Sequence, residues 1–233
     1  MQVAELFHSI QGEGSLAGTP SAFVRLAGCN LRCAWCDTSY ASWKPEATEM
    51  AVEEVVAEVS GYPTRYCVVT GGEPMMADGI HELARRLHDL GKHVTIETNG
   101  TVAPEGIHAD LASLSPKLGN SVADAGKFPS EFAMQCFDRR WKPDVLRAWI
   151  DRYDYQLKFV VATEQDLAEA RQLLKRLERD IPPERIMLMP LTINESREAA
   201  REQQKAVAEM CKTYGYRYCH RLQQELYGSK RGT

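Results

Sequence analysis

The sequence contains no run of about 18 consecutive apolar residues, which rules out a long apolar membrane-spanning helix. Its opening stretch, Met1 to Ile10, has no basic segment followed by an apolar one, so it does not read as a secretory signal. These absences set the expectation of a cytoplasmic protein. Charge is nearly balanced: 28 basic against 32 acidic residues, interspersed, with a net charge of −4. Neither nucleic acid nor an anionic membrane finds a basic footprint to bind, and a small-molecule substrate becomes the default. Internal repeats, low-complexity tracts and segments needing assignment to disorder are also missing. Cysteine is present seven times, but Cys67, Cys136, Cys211 and Cys219 are isolated, so no second cysteine pair closes a four-ligand zinc site. An odd cysteine count without a secretion signal favours thiols or metal ligands over a disulfide framework. What is there, 233 residues at 44% hydrophobic content, is enough for one core. The expectation is a single domain, 1–233.

The chain is organised around Gly28-Cys29-Asn30-Leu31-Arg32-Cys33-Ala34-Trp35-Cys36-Asp37-Thr38. Iron–sulfur clusters take one thiolate per iron, so three cysteines leave one iron of a four-iron cluster open to another ligand. The alternative is structural: spacings of four and three place all three side chains on one helix face, as small buried apolar groups. Gly28 and Asn30 before the run, and Asp37-Thr38-Ser39 after it, read as loop instead.

The rest of the chain alternates strands with helices. Phe7 to Ser15 reads as a glycine-bearing loop able to bring backbone close to a ligand, or as a surface turn. Ser21 to Ala27 is a strand in which Arg25, enclosed by apolar neighbours, requires an anionic partner. A helix over Met50 to Ser60 precedes a strand at Tyr66 to Thr70, which ends in Gly71-Gly72-Glu73-Pro74. This turn either presents backbone and an acceptor, Glu73, to an ammonium group, or is an ordinary strand-to-helix turn. Next come a helix over Asp78 to Leu90 with Gly91 beyond it, strands at His93 to Gly100 and Ala109 to Leu114, and the polar run Ser115-Pro116-Lys117. Periodicity fails from Leu118 to Pro143, where Phe128, Phe132, Phe137 and Trp141 are scattered; an irregular insertion or lid around 118–143 is expected. A strand at Tyr155 to Val161, a helix over Glu164 to Asp180, a strand at Arg185 to Pro190, a helix over Glu195 to Tyr214, a short strand at Tyr216 to Cys219 and a basic tail complete the chain. This order predicts an α/β fold: a partial, open βα barrel of about six parallel strands, with its polar motifs at the strands' C-terminal ends.

Cys29, Cys33 and Cys36, with Trp35 before the last, resemble the cluster loop of the radical S-adenosylmethionine superfamily. Gly71 to Pro74 is similar to the motif with which that superfamily holds the cofactor's methionine amino group. The resemblance implies a 4Fe-4S cluster on the three cysteines. It implies S-adenosylmethionine chelating the fourth iron, and contacts to the cofactor from Gly72, Glu73, Ser115, Pro116, Lys117, Met189 and Pro190. Ile10 to Gly14, Phe23 to Cys29, Cys36 to Thr38, Glu97 to Thr101, Ser115 to Lys117 and Lys230 to Gly232 together resemble the 7-carboxy-7-deazaguanine synthases of queuosine biosynthesis. That family converts 6-carboxy-5,6,7,8-tetrahydropterin to 7-carboxy-7-deazaguanine by hydrogen abstraction, ring contraction and loss of ammonia. The resemblance implies a substrate site of Ile10, Gln11, Gly12, Glu13, Arg25 and Thr70, in which a guanidinium such as Arg25 suits the substrate carboxylate. It makes Thr38 a magnesium ligand, where the residues alone suggest a turn-capping hydroxyl. An external electron donor such as a flavodoxin, and a homodimer, are implied as partners. A glycyl-radical activase, which shares the cysteine loop but acts on a protein backbone, and a non-enzymatic metal-binding protein remain as alternatives.

Overall fold

The structure is a computed structural model and describes residues 1–122, 139–193, 195–228 and 230–233. Strands β1 (Gln2–Ile10) and β2 (Pro20–Leu26) form an antiparallel hairpin, and β3 (Thr48–Glu49) pairs with the far edge of β1. From β2 onward every pairing is parallel, through β4 (Tyr66–Gly71), β5 (His93–Thr98), β6 (Leu111–Leu114), β7 (Tyr155–Val161), β8 (Ile186–Pro190) and the short β9 (Arg217–Tyr218). The sheet order is β3-β1-β2-β4-β5-β6-β7-β8-β9. Its ends do not meet, so the barrel is open, with six full parallel strands as expected.

Two expectations change at the edges. Phe7 to Ile10 is the second half of β1 rather than loop; only Val3 and Phe7 of this strand are fully buried, so its apolar alternation is thin. The tail after β9 contains a helix, α7 (Leu222–Tyr227), which buries none of its residues and therefore shows no apolar stripe.

Parallel strands covered on both sides are buried almost throughout, and β7 is buried at every position after Tyr155. The two faces nevertheless differ. Val24, Val69, Ile96 and Phe159 join one core with Val55, Leu83, Leu87 and Leu173 from the helices. Their strand neighbours Arg25, Thr70, Glu97 and Lys158 point the opposite way, as strand alternation demands, and line a cavity.

Among the described residues the helices are α1 (Ser39–Ser42), α2 (Val52–Ser60), α3 (Ile80–Asp89), α4 (Pro143–Ile150), α5 (Glu164–Arg176) and α6 (Arg197–Tyr214), besides α7. In α3 the apolar positions Ile80, Leu83, Ala84 and Leu87 follow helical spacing and are all buried. α5 opens on a reciprocal cap: Thr163 Oγ1 accepts from Asp166 N at 3.2 Å while Asp166 Oδ2 accepts from Thr163 N at 2.9 Å. α4 was not anticipated, because it follows directly on the stretch without periodicity. Of that stretch, Gly119–Ser121 forms a single 3-10 turn and Trp141 packs on the core; Cys136 and the expected lid segment with Phe128, Phe132 and Phe137 lie outside the described residues. Among the described residues, no helix is long and apolar enough to cross a membrane.

Trp149 joins α4 to the rest of the fold: its ring is fully buried and its Nε1 donates to Val102 O at 2.9 Å. Trp149→Ala should lower stability by about 3–5 kcal/mol through the cavity it leaves, read as a shift in the denaturant midpoint.

Candidate active site

A cavity of about 300 Å³ opens at the C-terminal ends of the parallel strands. Cys29, Cys33 and Cys36 line it, together with Ile10, Gln11, Gly12, Glu13, Arg25, Thr38, Thr70, Gly72, Ser115, Lys117 and Met189. Of the residues expected from sequence, Glu73, Pro116 and Pro190 are not among its lining. The motifs converge because they follow β2, β4, β5, β6 and β8 in turn, on the same rim.

The cysteine loop is not helical from Cys29 to Cys36, so the reading of the cysteines as one buried helix face is set aside. Long-range contacts give the loop its shape. Asn99 Nδ2 donates to Asn30 Oδ1 at 3.0 Å, Asn30 Nδ2 donates to Thr101 Oγ1 at 2.7 Å, and Trp35 Nε1 donates to Asn120 Oδ1 at 3.2 Å. Ala34 N donates to Ser121 O at 2.9 Å, and Lys117 Nζ lies 5.6 Å from the centre of the Trp35 ring. Cys29, Cys33 and Cys36 are all partly exposed. Among the described residues no three cysteine, histidine or carboxylate groups converge on one point as a single-ion site requires. Three thiols spread around one cavity suit a multi-iron cluster, in which each thiolate meets a different iron. Burial pushes the Cys29 thiol up to about 11, so its proton leaves only when metal binds.

Glu73 is engaged by its own neighbours beside the cavity. It is 1% exposed, and its carboxylate accepts from Thr98 Oγ1 at 2.8 Å, Met75 N at 3.2 Å and Asn99 N at 2.8 Å. Burial raises its pKa against the pull of those donors. The side chain thus ties the turn after β4 to the end of β5, and what the turn offers the cavity is the backbone of Gly71 and Gly72. That approach needs glycine: a Cβ on Gly72 would lie 2.1 Å from Gly28 O, and one on Gly71 would lie 2.0 Å from Leu26 O.

Sequence reasoning missed the centre of the cavity floor. Lys158, 4% exposed in its side chain, reaches Glu13 Oε2 at 2.9 Å and Glu97 Oε1 at 3.2 Å. Glu97 also accepts from Gln11 Nε2 at 3.3 Å and Thr70 Oγ1 at 3.2 Å, and Glu13 accepts from Gln223 Nε2 at 3.0 Å. Burial raises the Glu13 pKa, but the attraction of Lys158 and Arg221, helped by hydrogen bonds, outweighs it and leaves the group at about 2. A signal existed in the sequence: Gln156 and Lys158 share strand parity inside an otherwise apolar run, which marks a polar inner face.

Arg25 finds the anion its burial requires in Glu5, directly opposite on β1, with Nε donating to Oε2 at 2.7 Å. Tyr40 Oη donates to the same oxygen at 2.7 Å, and Arg25 still reaches the cavity. Thr38 occupies the N-cap position of α1 without a side-chain capping bond, so its hydroxyl does not serve the cap and faces the cavity instead.

Residues 24–117 match the radical SAM superfamily. Over 99% of its length the chain is 43% identical to a 7-carboxy-7-deazaguanine synthase of Rhodopirellula baltica, of which 88% is covered. The chain belongs to the 7-carboxy-7-deazaguanine synthase family. A 7-carboxy-7-deazaguanine synthase of Halobacterium salinarum is 42% identical over 97% of this chain and 90% of that one. The crystal structure of QueE from Escherichia coli superposes with a TM-score of 0.68 at 26% identity, covering 94% of this chain and 92% of that one. As a radical SAM lyase of 7-deazapurine biosynthesis, this 7-carboxy-7-deazaguanine synthase family member uses a 4Fe-4S cluster and S-adenosylmethionine, takes electrons from a reductant and acts on a small molecule.

Two outcomes test this site. Glu73→Gln sets an amide N–H against a ring of donors, so it should cost about 2–3 kcal/mol in chemical denaturation and weaken S-adenosylmethionine binding. The depressed Glu13 pKa contributes stability that is complete above the unfolded value near 4.5 and is lost as pH falls toward about 2. Comparing unfolding free energies of the wild type and Glu13→Gln across that window should show the wild type losing its advantage.

Proposed function

We propose that this enzyme converts 6-carboxy-5,6,7,8-tetrahydropterin to 7-carboxy-7-deazaguanine with release of ammonia. The observation that carries this is one cavity lined by three cysteines together with Arg25 and the carboxylates of Glu13 and Glu97. A guanidinium suits the substrate's carboxylate, and anionic acceptors suit the amine and amide N–H groups of its ring. When bound at Cys29, Cys33 and Cys36, the cluster with S-adenosylmethionine supplies the one-electron chemistry that begins with hydrogen abstraction. The chain's own part is placement and shielding. Arg25, braced by Glu5, holds the substrate carboxylate. The backbone of Ile10, Gln11 and Gly12, with Glu13 and Thr70, holds the ring. Gly72, Ser115, Lys117 and Met189 hold the cofactor, with Glu73, Pro116 and Pro190 shaping the turns beneath them. Thr38 is the protein ligand of a magnesium ion that takes its remaining ligands from substrate and water. The enzyme works as a single domain within a homodimer in the cytoplasm, and draws electrons from an external donor such as a flavodoxin.

Anaerobic incubation of the reconstituted, reduced enzyme with the carboxypterin, S-adenosylmethionine and magnesium should yield the deazaguanine acid and ammonia by mass spectrometry. Absence of that product, with S-adenosylmethionine still cleaved, would overturn the substrate assignment. Arg25→Ala should weaken carboxypterin binding by about 10–100-fold, the loss expected for a charge-assisted bond, while the cluster absorbance is kept. Thr38→Ala should raise the magnesium concentration for half-maximal activity and leave the melting temperature unchanged.

A further inference from the structure

Among the described residues Lys158 is the one cation that touches both carboxylates of the cavity floor, and they come from distant parts of the chain. Glu13 belongs to the loop after β1 and Glu97 to β5, yet both reach the same Nζ, at 2.9 and 3.2 Å. Each carboxylate is fixed at its other oxygen as well, Glu13 by Gln223 Nε2 at 3.0 Å and Glu97 by Thr70 Oγ1 at 3.2 Å. An ionised carboxylate has about four acceptor sites, so both groups keep capacity for a ligand while their orientation is set. Without the ammonium, two carboxylates in one enclosed space repel, and one of them takes up a proton. A protonated carboxyl presents an O–H, the wrong partner for a ring N–H.

We infer that Lys158 is a positioning residue of the substrate subsite, holding Glu13 and Glu97 as a fixed, ionised pair of acceptors for the N–H groups of the substrate ring. This rests on the functional reading above. Burial disfavours the charged form of Lys158, but the two carboxylates outweigh it and hold its pKa above the ordinary value, so the side chain serves as a fixed charge and not as a proton donor near neutrality. The other groups around this floor are accounted for. Arg221, after β9, lies 4.0 Å from Glu13 and 4.0 Å from Asp37. Arg25 on β2 is held by Glu5 on β1, and burial pushes the nearby Cys219 thiol up to about 11. Arg221 favours ionised Glu13, but among the described residues no such second cation bonds Glu97, so Glu97 depends most on Lys158.

The test is equilibrium binding of the carboxypterin to the reconstituted enzyme with S-adenosylmethionine and magnesium, without reductant, from pH 5.5 to 8.5. The wild-type Kd should change by less than about threefold across that range. Lys158→Gln keeps a hydrogen-bonding side chain without the charge; its Kd should rise at least tenfold at pH 5.5 and recover toward the wild-type value at pH 8.5, as the unbalanced carboxylates ionise. Lys158→Arg, which restores the charge, should restore the flat profile. If Lys158→Gln loses its circular-dichroism spectrum, Glu97→Gln serves instead: with Lys158 still paired to Glu13, its weakened binding should not vary with pH. A Lys158→Gln variant with wild-type affinity, a loss equal at every pH, or a strongly pH-dependent Glu97→Gln would overturn the inference alone. Failure of the wild type to bind the carboxypterin would overturn the functional reading and the inference together.

Discussion

Burial of a parallel sheet on both faces is the constraint from which the rest of this molecule follows. A strand such as β7 is excluded from water along nearly its whole length, so any polar side chain on its inner face must find partners inside the protein. Gln156 donates to Ser113 Oγ at 2.9 Å and accepts from Ser15 N at 2.8 Å; Lys158, two residues on, takes Glu13 and Glu97. These partners include the loop after β1, which Gly14 N also ties to Cys219 Sγ at 3.3 Å. That loop is therefore held by a strand some 140 residues away in the chain. Removing it would leave the buried ammonium with Glu97 as its remaining carboxylate partner.

The opposite rim obeys a different rule. There the strand ends carry turns whose backbones run within contact distance, and the polar groups are satisfied between turns. Glu73 joins β4 to β5, Asn30 joins the cysteine loop to Asn99 and Thr101, and Glu73 N donates to Gly28 O at 2.9 Å. The cysteine loop has little regular structure of its own, so its shape comes from these neighbours. Thiol placement is consequently a property of the sheet's rim, and a change at the end of β5 reaches the cluster loop without touching a cysteine.

This division explains what could be read from the residues alone. The six long parallel strands and their helices were legible because burial imposes local periodicity, as in Ile80, Leu83, Ala84 and Leu87. The cysteines, Gly72, Ser115 and Lys117 were legible because short chemical motifs at strand ends must share one rim. The partners of Glu73 were not legible, because they are Thr98 and Asn99, some 25 residues further on. Lys158 was overlooked because a lone charge in an apolar strand resembles noise until its parity with Gln156 is noticed. The strand in Phe7 to Ile10 and helix α7 escaped because each buries too little to leave a pattern.

The remaining step concerns how an open sheet makes an enclosed site. In a closed barrel, strand pairing seals the rim; here β3 and β9 are separate edges. The segment after β9 supplies the closure, spanning from the end of β8 to the loop after β1. Leu222 N donates to Gly12 O at 3.0 Å, Gln223 Nε2 to Glu13 Oε1 at 3.0 Å, and Arg221 Nε lies 3.0 Å from Met189 Sδ. Gly12 suits this packing, since a Cβ there would lie 2.8 Å from the backbone N of Gln223. The glycine that reads in the sequence as an opening for a ligand is thus also the seat of a closing segment, and the same contact that seals the site orients Glu13 within it. Closing the cavity and fixing Glu13 within it are accordingly one interaction, made between two parts of the chain some 210 residues apart.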